Sequence, residues 1–291
     1  MTTALHTLNH RMTPSNMKTY SMQLTRLSAG QARFTKRDAE RLDAGPLGAP
    51  ILEGRQSTDL ADKLPAQLSE LELRPRTMAK PSYTLCRLSP DDKDAVIDFL
   101  RRFFFRDEPL NQTINLLETP DSRCFELEDY AVSTLQEGVS VAAVDENGEF
   151  VGIVINGTVR REEVDYTDKS EECPHPKFKR ILKLLCHLDR EARIWDKLPQ
   201  ECHTVMEVRI ASTHSEWRGR GLMRVLCEES ERLAREVGAS AMRMDTTSAF
   251  SAAAAERLNY KSVYSIFYEE LSYAPHPPPP HLEAKVYIKE L

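Results

Sequence analysis

The sequence predicts an α/β domain over residues 83–291, and three observations lead to it. Two apolar segments, "VSVAAVD" and "FVGIVINGTV", flank the turn "ENGE", whose Asn147-Gly148 pair tolerates positive φ and joins them as an antiparallel ribbon. The apolar run "TVMEVRIAS" reads as a buried strand and is followed by Arg218-Gly219-Arg220-Gly221 and then a helical period reaching Glu236. Strand-type and helical segments then continue to the last residue.

The elements follow in order. "YTLCRL" is a short strand, after which Ser89, Pro90 and two aspartates open a helix with Ala95, Val96, Phe99, Leu100 and Phe103 on one stripe. "KFKRILKLLCHLDREARIW" places Phe178, Ile181, Leu182, Leu185, Leu188 and Ala192 on one helical face, which core packing explains. In the helix from Gly221 to Glu236 the apolar stripe is Leu222, Val225, Leu226, Leu233 and Val237, and Gly238 stops it. "SAMRMD" is the next strand, and "SAFSAAAAERL" is an alanine-rich helix with Ser248 as N-cap. "KSVYSIFYEEL" and "AKVYIKEL" are strands joined across a stiff proline bridge, "APHPPPPH". Residues 1–80 show no sustained period, and prolines interrupt the stretch up to Pro81, so they read as a disordered leader and linker.

Composition narrows the class. The 291 residues are 41% hydrophobic and 29% charged, and no apolar run approaches the roughly 18 residues of a membrane helix. A net charge of -6 argues against general nucleic-acid binding. Residues 1–37 nevertheless hold six Lys/Arg and no acidic residue, the composition of a mitochondrial transit peptide. The expected location is the cytoplasm, with mitochondrial import as the alternative. Cysteines at 86, 124, 173, 186, 202 and 227 lack paired spacing, which fits free thiols in a reducing compartment. His175, His187 and His203 lie near three of them, but the intervals match no zinc knuckle and no metal is expected.

The glycine turn is where chemistry enters. A helix N-terminus carries amide donors without intrahelical partners and partial positive charge, and glycine lets an anion approach without a Cβ in the way. Strand, Arg218-Gly219-Arg220-Gly221, helix is therefore a candidate pyrophosphate cradle, against the plainer reading of an ordinary strand-to-helix turn. It lacks the third glycine of the dinucleotide fingerprint and the Gly-Lys-Ser/Thr of a triphosphate loop.

"RGRGLM" resembles the Arg/Gln-x-x-Gly-x-Gly/Ala signature of the GCN5-related N-acetyltransferases. "FFFRDEPLN" (103–111), "HPKFKRIL" (175–182) and "SAFSAAAAERLNY" resemble segments of the insect-type arylalkylamine N-acetyltransferases within that superfamily. The resemblance covers residues 83–291 and implies a mixed central sheet flanked by helices. It implies transfer of acetyl from acetyl-CoA to an arylalkylamine of the dopamine, serotonin, tyramine, octopamine or tryptamine type.

Carried over residue by residue, the resemblance puts the essential glutamate on Glu108 and the catalytic hydroxyls on Thr247 and Ser251. The family's first hydroxyl is usually serine, and Met223 stands where glycine or alanine is preferred. The cofactor site is expected at Ile210, Ala211, Ser212, Arg218, Gly219, Arg220, Gly221, Leu222 and Met223, with Ser251 also touching the coenzyme.

An arylalkylamine is an ammonium at neutral pH, so Glu108 is expected to act as general base, its pKa raised by burial beside Phe103 to Phe105. Thr247 and Ser251, four apart, are expected on one face of the alanine-rich helix, with Ser251 as acid toward the thiolate and Tyr264 in reserve. The bland readings are a solvated helix-end carboxylate for Glu108 and helix capping for the hydroxyls. His214 is expected as a turn residue or proton shuttle, and Trp195 and Trp217 as packing anchors. No activated Cys–His pair is evident, which favours direct attack in a ternary complex. The expected partners are acetyl-CoA and a small amine, with the protein a monomer. An acyltransferase for another amine or longer acyl chain, or a silent acyl-CoA-binding protein, are the alternatives.

Overall fold

The computed structural model describes residues 82–291, and the expected leader and linker lie outside the described residues. Its strands are β1 (Tyr83–Arg87), β2 (Val141–Asp145), β3 (Phe150–Arg160), β4 (Thr204–Thr213), β5 (Ala241–Thr246), β6 (Lys261–Phe267) and β7 (Glu283–Glu290). They form one sheet in the order β1-β2-β3-β4-β5-β7-β6. Every neighbouring pair is antiparallel except β4 with β5.

The helices are α1 (Lys93–Phe103), α2 (Pro109–Thr113), α3 (Phe125–Val132), α4 (Pro176–Ala192), α5 (Ile194–Lys197), α6 (Leu222–Glu236) and α7 (Ala249–Arg257). Two cores follow from strand alternation. One face of the sheet packs with Phe99, Leu100, Tyr130, Phe178 and Leu185 of α1, α3 and α4. The other packs with Leu222, Leu226 and Leu233 of α6 and Ala254 and Ala255 of α7. Gly152 on β3 is needed for α6 to seat, because a Cβ there would lie 2.8 Å from Leu226 Cδ1.

Several sequence readings shift by one residue or one face. Pro90–Asp92 forms a 3-10 turn before α1, and with that entry Ala95 is exposed while Ile97 joins the core. In α6, Val225 is only partly buried and Val237 is 45% exposed; Met223 and Cys227 complete the stripe. At the β2–β3 turn only Gly148 has positive φ, because the Asp145 carboxylate accepts from Asn147 N and Glu149 N, both at 2.9 Å, and shapes the turn itself. β6 stops at Phe267, and Tyr268–Glu270 is a 3-10 turn rather than more strand.

The site-forming irregularity is in β4. Ile155 pairs with Ile210 and Asn156 with Val208, so Arg209 is an extra residue in the ladder, a bulge. Parallel pairing of β4 with β5 spans Val205↔Ala241 to Val208↔Met244 and goes no further, although β4 runs on to Thr213. The β4–β5 ladder thus ends beside the bulge.

Beside the bulge lies a buried charge cluster. Arg243 on β5 grips Asp245 through Nε and Nη2, both at 2.8 Å, reaches Asp189 of α4 at 2.5 Å and faces Glu207 at 3.3 Å. Burial pushes the Glu207 carboxyl up to about 8, so it is largely neutral at pH 7. Replacing Arg243 by Met leaves buried carboxylates without their cation, and about 3–5 kcal/mol of stability should be lost in urea unfolding at pH 7. A loss below about 1 kcal/mol would show that the cluster is solvated rather than paired.

Candidate active site

The chain leaves α1 in a tight reversal: Phe104 N and Phe105 N both donate to Leu100 O, and Asp107 N and Glu108 N both donate to Phe104 O. Pro109, with φ preset for a first helical turn, then begins α2. Glu108 is therefore the N-cap of α2. Its Oε1 accepts from Leu110 N at 3.0 Å and its Oε2 from Asn111 N at 2.7 Å. The capping reading for this glutamate is thus present in the structure, but the group is not solvated: Glu108 is 0% exposed. Burial raises its pKa from 4.5 to about 7, against the lowering effect of the two amides and of Thr247.

Thr247 comes from a distant part of the chain, where β5 runs into α7, and donates from Oγ1 to Glu108 Oε1 at 3.1 Å. Its own carbonyl accepts from the Tyr268 hydroxyl at 2.7 Å. Thr247 does not share a helical face with Ser251. Ser248 is the N-cap, α7 begins at Ala249, and Thr247 precedes both. Ser251 is buried and closes a capping box: its N donates to Ser248 Oγ at 3.1 Å, and its Oγ accepts from Ser248 N at 3.2 Å and donates to Ser248 O at 2.9 Å.

The glycine turn stands at the open end of β4. Gly219 and Gly221 have φ of 74° and 82°, values that side chains beyond glycine rarely adopt. Nothing lies within 4 Å of the position a Cβ would take on Gly221. Gly221 is the N-cap of α6, no side chain caps this helix, and its first turn carries no acidic residue. Leu222 and Met223 are buried in the second core, so the Met223 side chain turns away from the turn's open face. Arg220 is exposed, its guanidinium 6.0 Å from the Trp217 ring.

Arg218 behaves differently from the rest of the glycine turn. It reaches back to Asp107 at 2.7 Å and to Thr213 O at 3.2 Å. Ser212 donates to Phe103 O at 2.9 Å, while Ile210 and Ala211 are buried strand residues. The segment leading to Glu108 is thus tied to the glycine turn through Arg218 and to β4 through Ser212.

Sequence reasoning missed Asp107 and Tyr268. Asp107 sits inside "FFFRDEPLN", but only its contact with Arg218 distinguishes it from a surface acid. Tyr268 falls where strand alternation seemed to continue. Tyr264, the reserve acid, hydrogen-bonds His187 Nε2 at 3.0 Å instead. His214 accepts from Glu216 N and lies 4.3 Å from Phe103, a turn residue. Trp195 is 7% exposed and Trp217 meets Tyr83 edge-on, both packing contacts. All six cysteines are free, and burial pushes Cys124 and Cys227 up to about 12. Among the described residues no three His, Cys, Asp or Glu side chains group as a metal site.

The fold and the site can now be set beside known proteins. Arylalkylamine N-acetyltransferase 2 of Aedes aegypti is 31% identical, with a TM-score of 0.66 over 72% of this chain and 99% of that one. A mosquito arylalkylamine N-acetyltransferase like 5b is 24% identical, with a TM-score of 0.63 over 72% and 100%. The polyamine N-acetyltransferase of Drosophila melanogaster, which forms N-acetylagmatine, is 20% identical, with a TM-score of 0.64 over 72% and 100%, and shares the fold. No protein-family model matches the chain. On the similarity to the Aedes aegypti enzyme, the chain belongs to the insect-type arylalkylamine N-acetyltransferases of the GCN5-related N-acetyltransferase superfamily.

Proposed function

We propose that this protein transfers the acetyl group of acetyl-CoA to the primary amine of an arylalkylamine by direct attack in a ternary complex. The observation that carries this reading is Glu108, a carboxyl out of contact with water, poised near 7 and hydrogen-bonded to Thr247. A base with that affinity both takes a proton at neutral pH and releases it again.

The residues fit the coenzyme. A diphosphate suits the amides of Gly219 to Met223 at an uncapped helix start, where the space beside Gly221 is open. A pantetheine arm suits the end of β4 at Ile210, Ala211 and Ser212, beyond its last pair with β5 at Val208↔Met244. Acetyl-CoA supplies an acyl group activated as a thioester.

The chain's own groups do the rest. Glu108 accepts a proton from the substrate ammonium, and the free amine so formed is the nucleophile. Thr247 orients the carboxylate by donating to Oε1. Ser251 is the donor to the departing thiolate in this reading and must exchange its bond to Ser248 O to act. Tyr268, joined to Thr247 O, replaces Tyr264 as the phenol in reserve. The high thiol pKa of Cys124 and Cys227 supports a route without an acetyl-cysteine.

Substrate class follows from charge. Asp107 and Glu118, on the segment around the base, are already paired with Arg218 and Lys177, so a second cationic end finds no spare partner in either. That supports an aryl monoamine over a diamine.

Thiol release from acetyl-CoA should be faster with dopamine, serotonin, tyramine, octopamine or tryptamine than with agmatine; a preference for agmatine would contradict the substrate assignment. For kcat/KM, activity should rise with pH through about 7, as Glu108 loses its proton. Glu108→Gln should lower kcat/KM by about 10²–10⁴-fold and abolish that limb; an unchanged profile rejects the base. Gly221→Val, which forces a branched side chain to φ of 82°, should weaken acetyl-CoA binding at least about tenfold in calorimetry. Undiminished binding would remove the cradle.

A further inference from the structure

The segment His175–Leu182, "HPKFKRIL", has no part in the chemistry above, yet it sits at the start of a long helix. His175 Nδ1 accepts from Phe178 N and caps α4, Pro176 occupies the first position, and Phe178, Ile181 and Leu182 are buried. This anchoring fixes where the remaining side chains project. Lys177 and Arg180, three residues apart, lie on the same side of the helix.

Lys177 Nζ donates to Asn115 O at 2.9 Å and pairs with Glu118 at 2.5 Å. Asn115 follows α2, the short helix that Glu108 caps, and its N donates to Gln112 O. Arg180 donates from Nε to Tyr273 O at 3.0 Å and from Nη2 to Ala274 O at 3.1 Å. That second segment is a run of linked turns, in which Leu271 N donates to Tyr268 O and Ala274 N to Leu271 O. It begins at Tyr268, whose hydroxyl holds the Thr247 carbonyl. Lys179 pairs with Glu171 instead, so the grip belongs to particular positions and not to a generally basic helix.

We infer that Lys177 and Arg180 are positioning residues, a two-point clasp by which one turn of α4 holds together the segments bearing Glu108 and Tyr268 so that the amine binds productively. Three of the four contacts are to backbone carbonyls, so the clasp depends on the two cations and little on the residues they hold. Its kinetic consequence rests on the function proposed above; its structural consequence does not.

Hydrogen exchange on the full-length protein tests the clasp, and steady-state kinetics test its purpose. In Arg180→Gln, amides in 268–276 should exchange about tenfold faster while those in 222–236 are unchanged. Lys177→Gln should do the same to 110–118. With the preferred amine, KM for the amine should rise about five- to tenfold in each variant and KM for acetyl-CoA should stay constant, and Arg180→Lys should recover part of the loss. Unchanged exchange in 268–276 overturns the clasp. Faster exchange there with both KM values constant, or rising together, overturns its role in amine binding. If the wild-type protein acetylates none of the amines, the proposed function fails and the exchange result alone decides the clasp.

Discussion

A carboxylate removed from water is unstable unless something replaces its hydration, and among the described residues Glu108 is supplied with three donors and no cation. Two are backbone amides that α2 leaves unpaired at its first turn, and the third is the hydroxyl of Thr247. Donors of this kind hold the charge in place without neutralising it, whereas an arginine partner would keep the group ionised far below neutral pH. The balance between burial and these donors places the pKa near 7. Local architecture serves to keep that balance: Pro109 starts the helix whose amides Glu108 caps, and Tyr268 holds Thr247.

The second constraint is where the β4–β5 ladder ends. Parallel pairing runs to Val208↔Met244, and the bulge against β3 falls at the next residue, Arg209. Gly152 lets Leu222 and Leu226 at the start of α6, just after the glycine turn, pack close against β3. Arg218 ties that turn to Asp107, the residue before Glu108. The glycine turn and the segment bearing Glu108 are thus joined.

The order and type of most elements were legible in the sequence because apolar periodicity, Gly238, Ser248 and the Asn147-Gly148 pair are local signals, but α2 and α3, short helices between α1 and the hairpin, were not foreseen. The phase of α1 was not, because a 3-10 turn consumes Pro90–Asp92 before the helix begins and turns Ile97 inward in place of Ala95. The hairpin was legible but its turn was not, since the Asp145 carboxylate competes with the left-handed preference of Asn147. Within the site, Glu108 and Thr247 were found through resemblance, but their contact joins residues 139 apart and no spacing rule reaches that far. The same applies to Arg218 with Asp107. The shared helical face of Thr247 and Ser251 failed by one residue: once Ser248 is the N-cap, Thr247 lies before the helix.

Direct titration of Glu108 tests the account at its centre. Carboxyl carbons labelled with 13C and followed by NMR across pH, with Glu108 assigned by its disappearance in Glu108→Gln, report the group in the free protein. The account predicts a midpoint of about 7. A midpoint near the ordinary 4.5 would mean that Glu108 is no more than a helix cap.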